Sequence, residues 1–267
     1  VQQEIEKNIM NKIIIKNEKQ IRGIRKSCQI AAATLEYAKK SIAVGMTTEE
    51  LDRAIENFIR SKGATSATLE YKGFHKGQPK FPKSCCISVN EEVCHAIPDS
   101  YIIKNGDIVS IDVAVILNGY YGDNCTTVPV GNISDDARHL IEVAKKCLDL
   151  GIRQVAPGRK TGVIGQAIYQ YAILQGCTIV EEFCGHGVGM AFHEQPQILH
   201  VAKQDDGDIM KPGMIFTIEP MVNLGGPEVI MDNDDQWTVR TVDQSLSAQF
   251  EHSVLVTTNG YEILTLP

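Results

Sequence analysis

The chain has 267 residues, a net charge of −7, and 43% hydrophobic against 22% charged residues. That is the composition of a globular protein with room for one large domain or two small ones. It excludes the basic footprint of a nucleic-acid binder, and no apolar run approaches the length of a membrane span. Eight cysteines without a CxxC pair, in a chain long enough to bury its own core, predict reduced thiols in the cytoplasm. They argue against both a disulfide framework and a structural zinc site.

Residues 1–18 read as an N-terminal extension. The spacing of Ile21, Ile24, Cys28, Ala31, Ala32, Leu35 and Ala38 then predicts a helix over 19–40. Thr47 and Glu50 form a capping-box pattern. The stripe Leu51, Ile55, Phe58 and Ile59 follows it, and Gly63 stops that helix. The stretch IVSIDVAVILNGYYGDNCTTV, residues 108–128, reads as a β-hairpin turning on Asn118-Gly119. That register sets Asp112 opposite residue 125 and makes Asp123 its diagonal neighbour on the same face.

A second helix pair follows, the first member over 135–150 with Ala137, Leu140, Ile141, Ala144 and Leu148 inside. The next segment repeats the earlier loop, helix and stop. An offset of 113 residues lays Ala43 on Ala156, Gly45 on Gly158, Ala54-Ile55 on Ala167-Ile168 and Gly63 on Gly176. Strand-like sequence follows each copy, ending in MIFTIEPMV and AQFEHSVLV. The expected fold is therefore α+β: two halves, about 19–130 and 131–267, with helices set apart from a mainly antiparallel sheet in one domain.

Several polar residues do not belong in such strands. Asp112 and Asp123 interrupt the hairpin, and burying bare carboxylates costs several kcal/mol unless something compensates. Asp123, beside Gly122, also fits a turn cap. Glu219 stands in another apolar strand, sharing a face with Ile215 and Thr217; Glu251 and His252 interrupt a third. His186 sits among glycines in CGHGVGMAFHEQP, with His193 after it, and His95 precedes Ile97-Pro98. Each alone fits an ordinary structural role. A Cys94–His95 thiol dyad is excluded, because neighbours on a strand face opposite ways. Taken together, four acids and one imidazole suit Mn, Fe, Co or Zn. Their charge of −4 matches two divalent ions, which ~3.5–4 Å apart would generate a hydroxide nucleophile.

The set GDIVSIDV, GYYGDN, GHGVG, FTIEPM and SAQFEHS, in that order from Lys19 to the C-terminus, resembles the methionine aminopeptidases of the pita-bread fold. The resemblance implies that Asp112, Asp123, His186, Glu219 and Glu251 hold two metal ions, with Asp123 and Glu251 bridging. It implies that His95 lies near the scissile nitrogen, that His193 contacts the scissile carbonyl, and that Glu219 is also a candidate proton shuttle for the metal-bound water. Phe81, Cys86, Phe192 and Trp237, with His95 and His193, would form the substrate pocket, whose walls suit a flexible thioether. Only 25 residues separate His193 from Glu219, which leaves no room for the type II insertion. The chain thus resembles type I enzymes. These remove the initiator methionine of nascent chains when the next residue is small, as monomers in transient contact with the ribosome. Ala114 departs from the Thr that bacterial relatives often carry, and YKGFHKGQPKFPKS is longer and more basic than the usual loop. A proline-specific aminopeptidase and a catalytically inactive binding protein on the same fold are the competing expectations.

Overall fold

The computed structural model describes residues 12–73 and 77–267. Residues 1–11 of the expected extension, and 74–76 of the basic loop, lie outside the described residues. Helix α1, Glu18–Ser41, begins in a capping box that the sequence pattern did not single out. Asn17 Oδ1 accepts the Gln20 N–H at 3.0 Å, and the Asn17 N–H donates to Gln20 Oε1 at 2.9 Å. Helix α2, Thr48–Ser61, starts as predicted: Thr47 Oγ1 accepts from Glu50 N at 3.1 Å and Glu50 Oε2 from Thr47 N at 2.9 Å.

Helix α1 covers the hairpin formed by Ile108–Leu117 and Tyr120–Pro129, and α2 packs on α1 and shares its apolar core with the first hairpin strand. Its turn has Asn118 at φ 52° and Gly119 at φ 79°, the left-handed pair a type I′ turn needs. The register is the expected one, with Asp112 opposite Cys125 and Asp123 opposite Ala114. At Gly122 the hairpin touches the α1 backbone at Ser27-Cys28, and a Cβ there would collide with it.

The second half repeats the plan. Helices α3, Asp135–Ile152, and α4, Gly162–Leu174, pack together. They lie against a five-stranded sheet in the order Gly260–Ile263, His252–Thr257, Ile215–Ile218, Gly185–Gly187, Glu194–Ile198. Every described strand pairing is antiparallel. Two main apolar cores result, one drawn from residues between Ala31 and Val130 and the other chiefly from Ala137 to Val256.

The two copies of the loop–helix–stop segment are bonded alike. The Gly45 N–H donates to Ile103 O at 2.8 Å, and the Gly158 N–H to Met210 O at 2.9 Å. Thr48 N to Tyr101 O at 3.0 Å corresponds to Thr161 N to Asp208 O at 2.9 Å. The stop glycines match as well, Gly63 at φ 73° and Gly176 at φ 76°. Asp112 follows Gly106 at the same separation as Glu219 follows Gly213, and both glycines have positive φ.

One expectation is corrected. Glu219 and Glu251 do not lie within strands; they occupy breaks, after Ile215–Ile218 and before His252–Thr257. Pro220 cannot donate to a ladder. The Glu251 N–H leaves its own sheet and donates to Cys125 O of the hairpin at 3.0 Å. Among the described residues, no helix is long and apolar enough to cross a membrane.

Candidate active site

The two halves deliver their acids to one point. Asp112 and Asp123 share a hairpin face, and the bond from Glu251 N to Cys125 O draws Glu251 beside them. Oxygens of these three carboxylates all lie within 4.8 Å of one another. His186 Nε2 stands 3.7 Å from Asp123 Oδ2 and 3.6 Å from Glu219 Oε1. Its Nδ1 is 3.0 Å from Gly187 O. A carbonyl only accepts, so Nδ1 carries the proton and Nε2 turns its lone pair toward the carboxylates. Burial holds the His186 pKa down to about 4, so the ring is neutral at neutral pH.

The carboxylates are poorly accommodated by protein alone. Burial pushes Asp112 up to about 7 and Glu219 up to about 8. Burial, then repulsion from neighbouring carboxylates, pushes Asp123 and Glu251 well above their ordinary values. Asp123 Oδ1 and Glu251 Oε1 are buried without a hydrogen-bond partner. Orphaned acceptors, mutual repulsion and an aimed imidazole lone pair are the donor set a divalent cation fits.

A cavity of about 450 Å³ opens beside the cluster. All the residues singled out from the sequence line it: the five candidate ligands together with Phe81, Cys86, His95, Phe192, His193 and Trp237. Phe81, Cys86 and Trp237 form an apolar group with Tyr71 and Ile97 against them. Phe81 and Trp237 meet edge to face at 5.2 Å, and the indole Nε1 donates to Pro79 O at 2.9 Å, so the buried N–H is satisfied. His95 follows the strand Glu92–Cys94 with φ 55°, and its ring stands 5.3 Å from that of Phe183. The His193 ring lies 4.2 Å from that of His186. Burial lowers His95 to about 4 and holds His193 well below the ordinary histidine value.

Sequence reasoning missed the groups that hold these side chains. Thr217 Oγ1 donates to Glu219 Oε1 at 2.6 Å and accepts the His186 N–H at 2.9 Å. Gln249 Nε2 donates to Glu219 Oε2 at 3.3 Å. The Tyr71 hydroxyl and His193 Nδ1 are 2.7 Å apart. Period-2 spacing pointed to Thr217 and would have found Gln249, two residues before Glu251. Nothing in the sequence around Tyr71 signals its role.

A family model described as metallopeptidase family M24 matches residues 22–258. The chain belongs to metallopeptidase family M24. Within M24 it is 46% identical over 256 residues to the methionine aminopeptidase of Salmonella typhimurium, covering 95% of this chain and 94% of that protein. The crystal structure of methionine aminopeptidase from Rickettsia prowazekii superposes with a TM-score of 0.91 at 44% identity, covering 96% of this chain and 100% of that one. Prolidase from Pyrococcus furiosus, at 23% identity and TM-score 0.76, shares the M24 fold but is only 68% covered. The fold is thus the α+β pita-bread fold of these relatives.

Proposed function

We propose that this M24 chain is a metal-dependent aminopeptidase that removes the N-terminal methionine of peptides. Asp112, Asp123, His186, Glu219 and Glu251 would hold two divalent ions. Four carboxylates match the charge of two such ions, and Co, Mn, Fe and Zn all suit this donor set. Bound there, the ions would supply Lewis acidity and a water acidic enough to ionise near neutral pH.

The observation that carries the substrate assignment is the apolar recess of Phe81, Cys86 and Trp237 directly beside the acid cluster. A thioether fits aromatic and sulfur walls, and Phe192 closes the side next to His193. His193 is neutral at working pH. With the Tyr71 hydroxyl donating to Nδ1, His193 presents Nε2–H to the scissile carbonyl oxygen and stabilises the charge that develops on it. His95 stands near the scissile nitrogen. Glu219, held by Thr217 and Gln249, takes a proton from the water that adds to the scissile carbonyl and returns it to the leaving amine as the C–N bond breaks. We further read residues 19–267 as one catalytic domain whose halves, 19–130 and 131–267, arose by duplication; the paired Gly45 and Gly158 bonds support this. Eight free cysteines fit the cytoplasm. There the substrates would be nascent chains with a small second residue, met by a monomer in passing contact with the ribosome.

The test is release of methionine from Met-Ala-Ser by chelated protein reloaded with Mn or Co, set against Xaa-Pro peptides. Methionine release is expected. Cleavage only before proline would replace this reading with the prolidase-like one. No cleavage with any metal would favour a binding protein.

A further inference from the structure

One buried charge pair takes no part in the chemistry above. Lys16 lies in the segment before α1, and its Nζ donates to Glu194 Oε2 at 2.7 Å. The two side chains are 1% and 0% exposed. Such a pair is expensive to bury, and an apolar pair of similar volume would usually stabilise a fold as well. Its placement suggests why a charge is kept. The Lys16 N–H donates to Gly213 O at 2.8 Å, and Ile13 packs on the second core, so the arm is fixed to the body. The other oxygen of Glu194, Oε1, accepts the N–H groups of Met190 at 2.5 Å and Ala191 at 2.8 Å. One carboxylate therefore ties the arm to the turn that presents Phe192 and His193.

We propose that Lys16 is a positioning residue for Phe192 and His193, acting through Glu194. The assignment rests on the roles given to those two residues above. With Lys16 in place, Oε2 is neutralised and Oε1 stays on the loop amides. Without it, Glu194 is an unpaired anion lining the catalytic cavity. It is then free to leave the Met190 and Ala191 N–H groups, and the imidazole moves with the turn. Glu194→Gln keeps an oxygen for those amides but loses the tie to the arm. The predicted defect therefore lies in turnover rather than in folding.

The experiment compares wild type, Lys16→Met, Glu194→Gln and Lys16→Met/Glu194→Gln, each loaded with Mn. Melting curves are measured with kcat and KM for Met-Ala-Ser, well below every midpoint. The double variant removes both charges, so it should melt within a few degrees of wild type. It should still lose about tenfold in kcat, as expected of a catalytic group displaced by a fraction of an ångström, with a smaller rise in KM from the shifted Phe192 wall. If Lys16→Met fails to fold, the double variant still decides. An active wild type whose folded double variant keeps kcat within about twofold would overturn this assignment alone. A wild type that releases no methionine would overturn the parent reading, and this assignment with it.

Discussion

Removing one acid from the cluster should stabilise the metal-free protein while destroying its function. Burial raises Asp112 from its ordinary 3.8 to about 7. Between those values the folded chain binds the proton more tightly than the unfolded chain does. Metal-free stability therefore falls as pH rises through that window, by roughly 4 kcal/mol in full. Asp112→Asn removes this loss but leaves an amide imperfectly paired, at about 1–3 kcal/mol. The net gain at pH 7.5 is then about 1–3 kcal/mol, or roughly 2–6 °C in Tm for a chain of this size. At about pH 5 less than half of the proton-linked loss has developed, so the advantage should vanish. Circular-dichroism melts of chelated wild type and variant at the two pH values measure this. A metal-free Asp112→Asn protein no more stable than wild type at pH 7.5 would refute the claim that the Asp112 carboxylate is held against the cost of burying its charge.

Three further outcomes follow from the same geometry. Tyr71→Phe should lower kcat roughly tenfold with little change in KM, the worth of one hydrogen bond of about 1.4 kcal/mol to His193; steady-state kinetics on Met-Ala-Ser reads it. Phe81→Ala should raise KM roughly ten- to a hundredfold by removing an aromatic wall worth about 1.5–3 kcal/mol, and kcat should hold. Gly122→Ala drives a methyl into the α1 backbone at Cys28. It should cost about 1–3 kcal/mol in urea titration.

Much of this site was legible because local rules governed it. Asn118-Gly119 selects one turn type, and the turn sets the register that puts Asp112 and Asp123 on one face. Thr47 and Glu50 announce α2 through their own hydrogen bonds. Strand alternation was less informative at Glu219 and Glu251, because tertiary bonds break the strands there. Glu251 takes its place from a carbonyl on a hairpin far away in sequence. Tyr71 and Lys16 carried no signal at all. A tyrosine in a loop and a lysine before a helix read as surface residues, until the fold brings one to His193 and buries the other against Glu194. Ala114, fully buried opposite Asp123, leaves the hairpin intact.

The most direct test is to titrate Mn into the chelated protein by calorimetry while following methionine release from Met-Ala-Ser, with Asp123→Asn and Glu251→Gln alongside. About two ions per chain are expected, with activity rising with occupancy and both binding and activity lost in each variant. Full methionine release by either variant, or by protein held free of metal, would contradict the metal assignment.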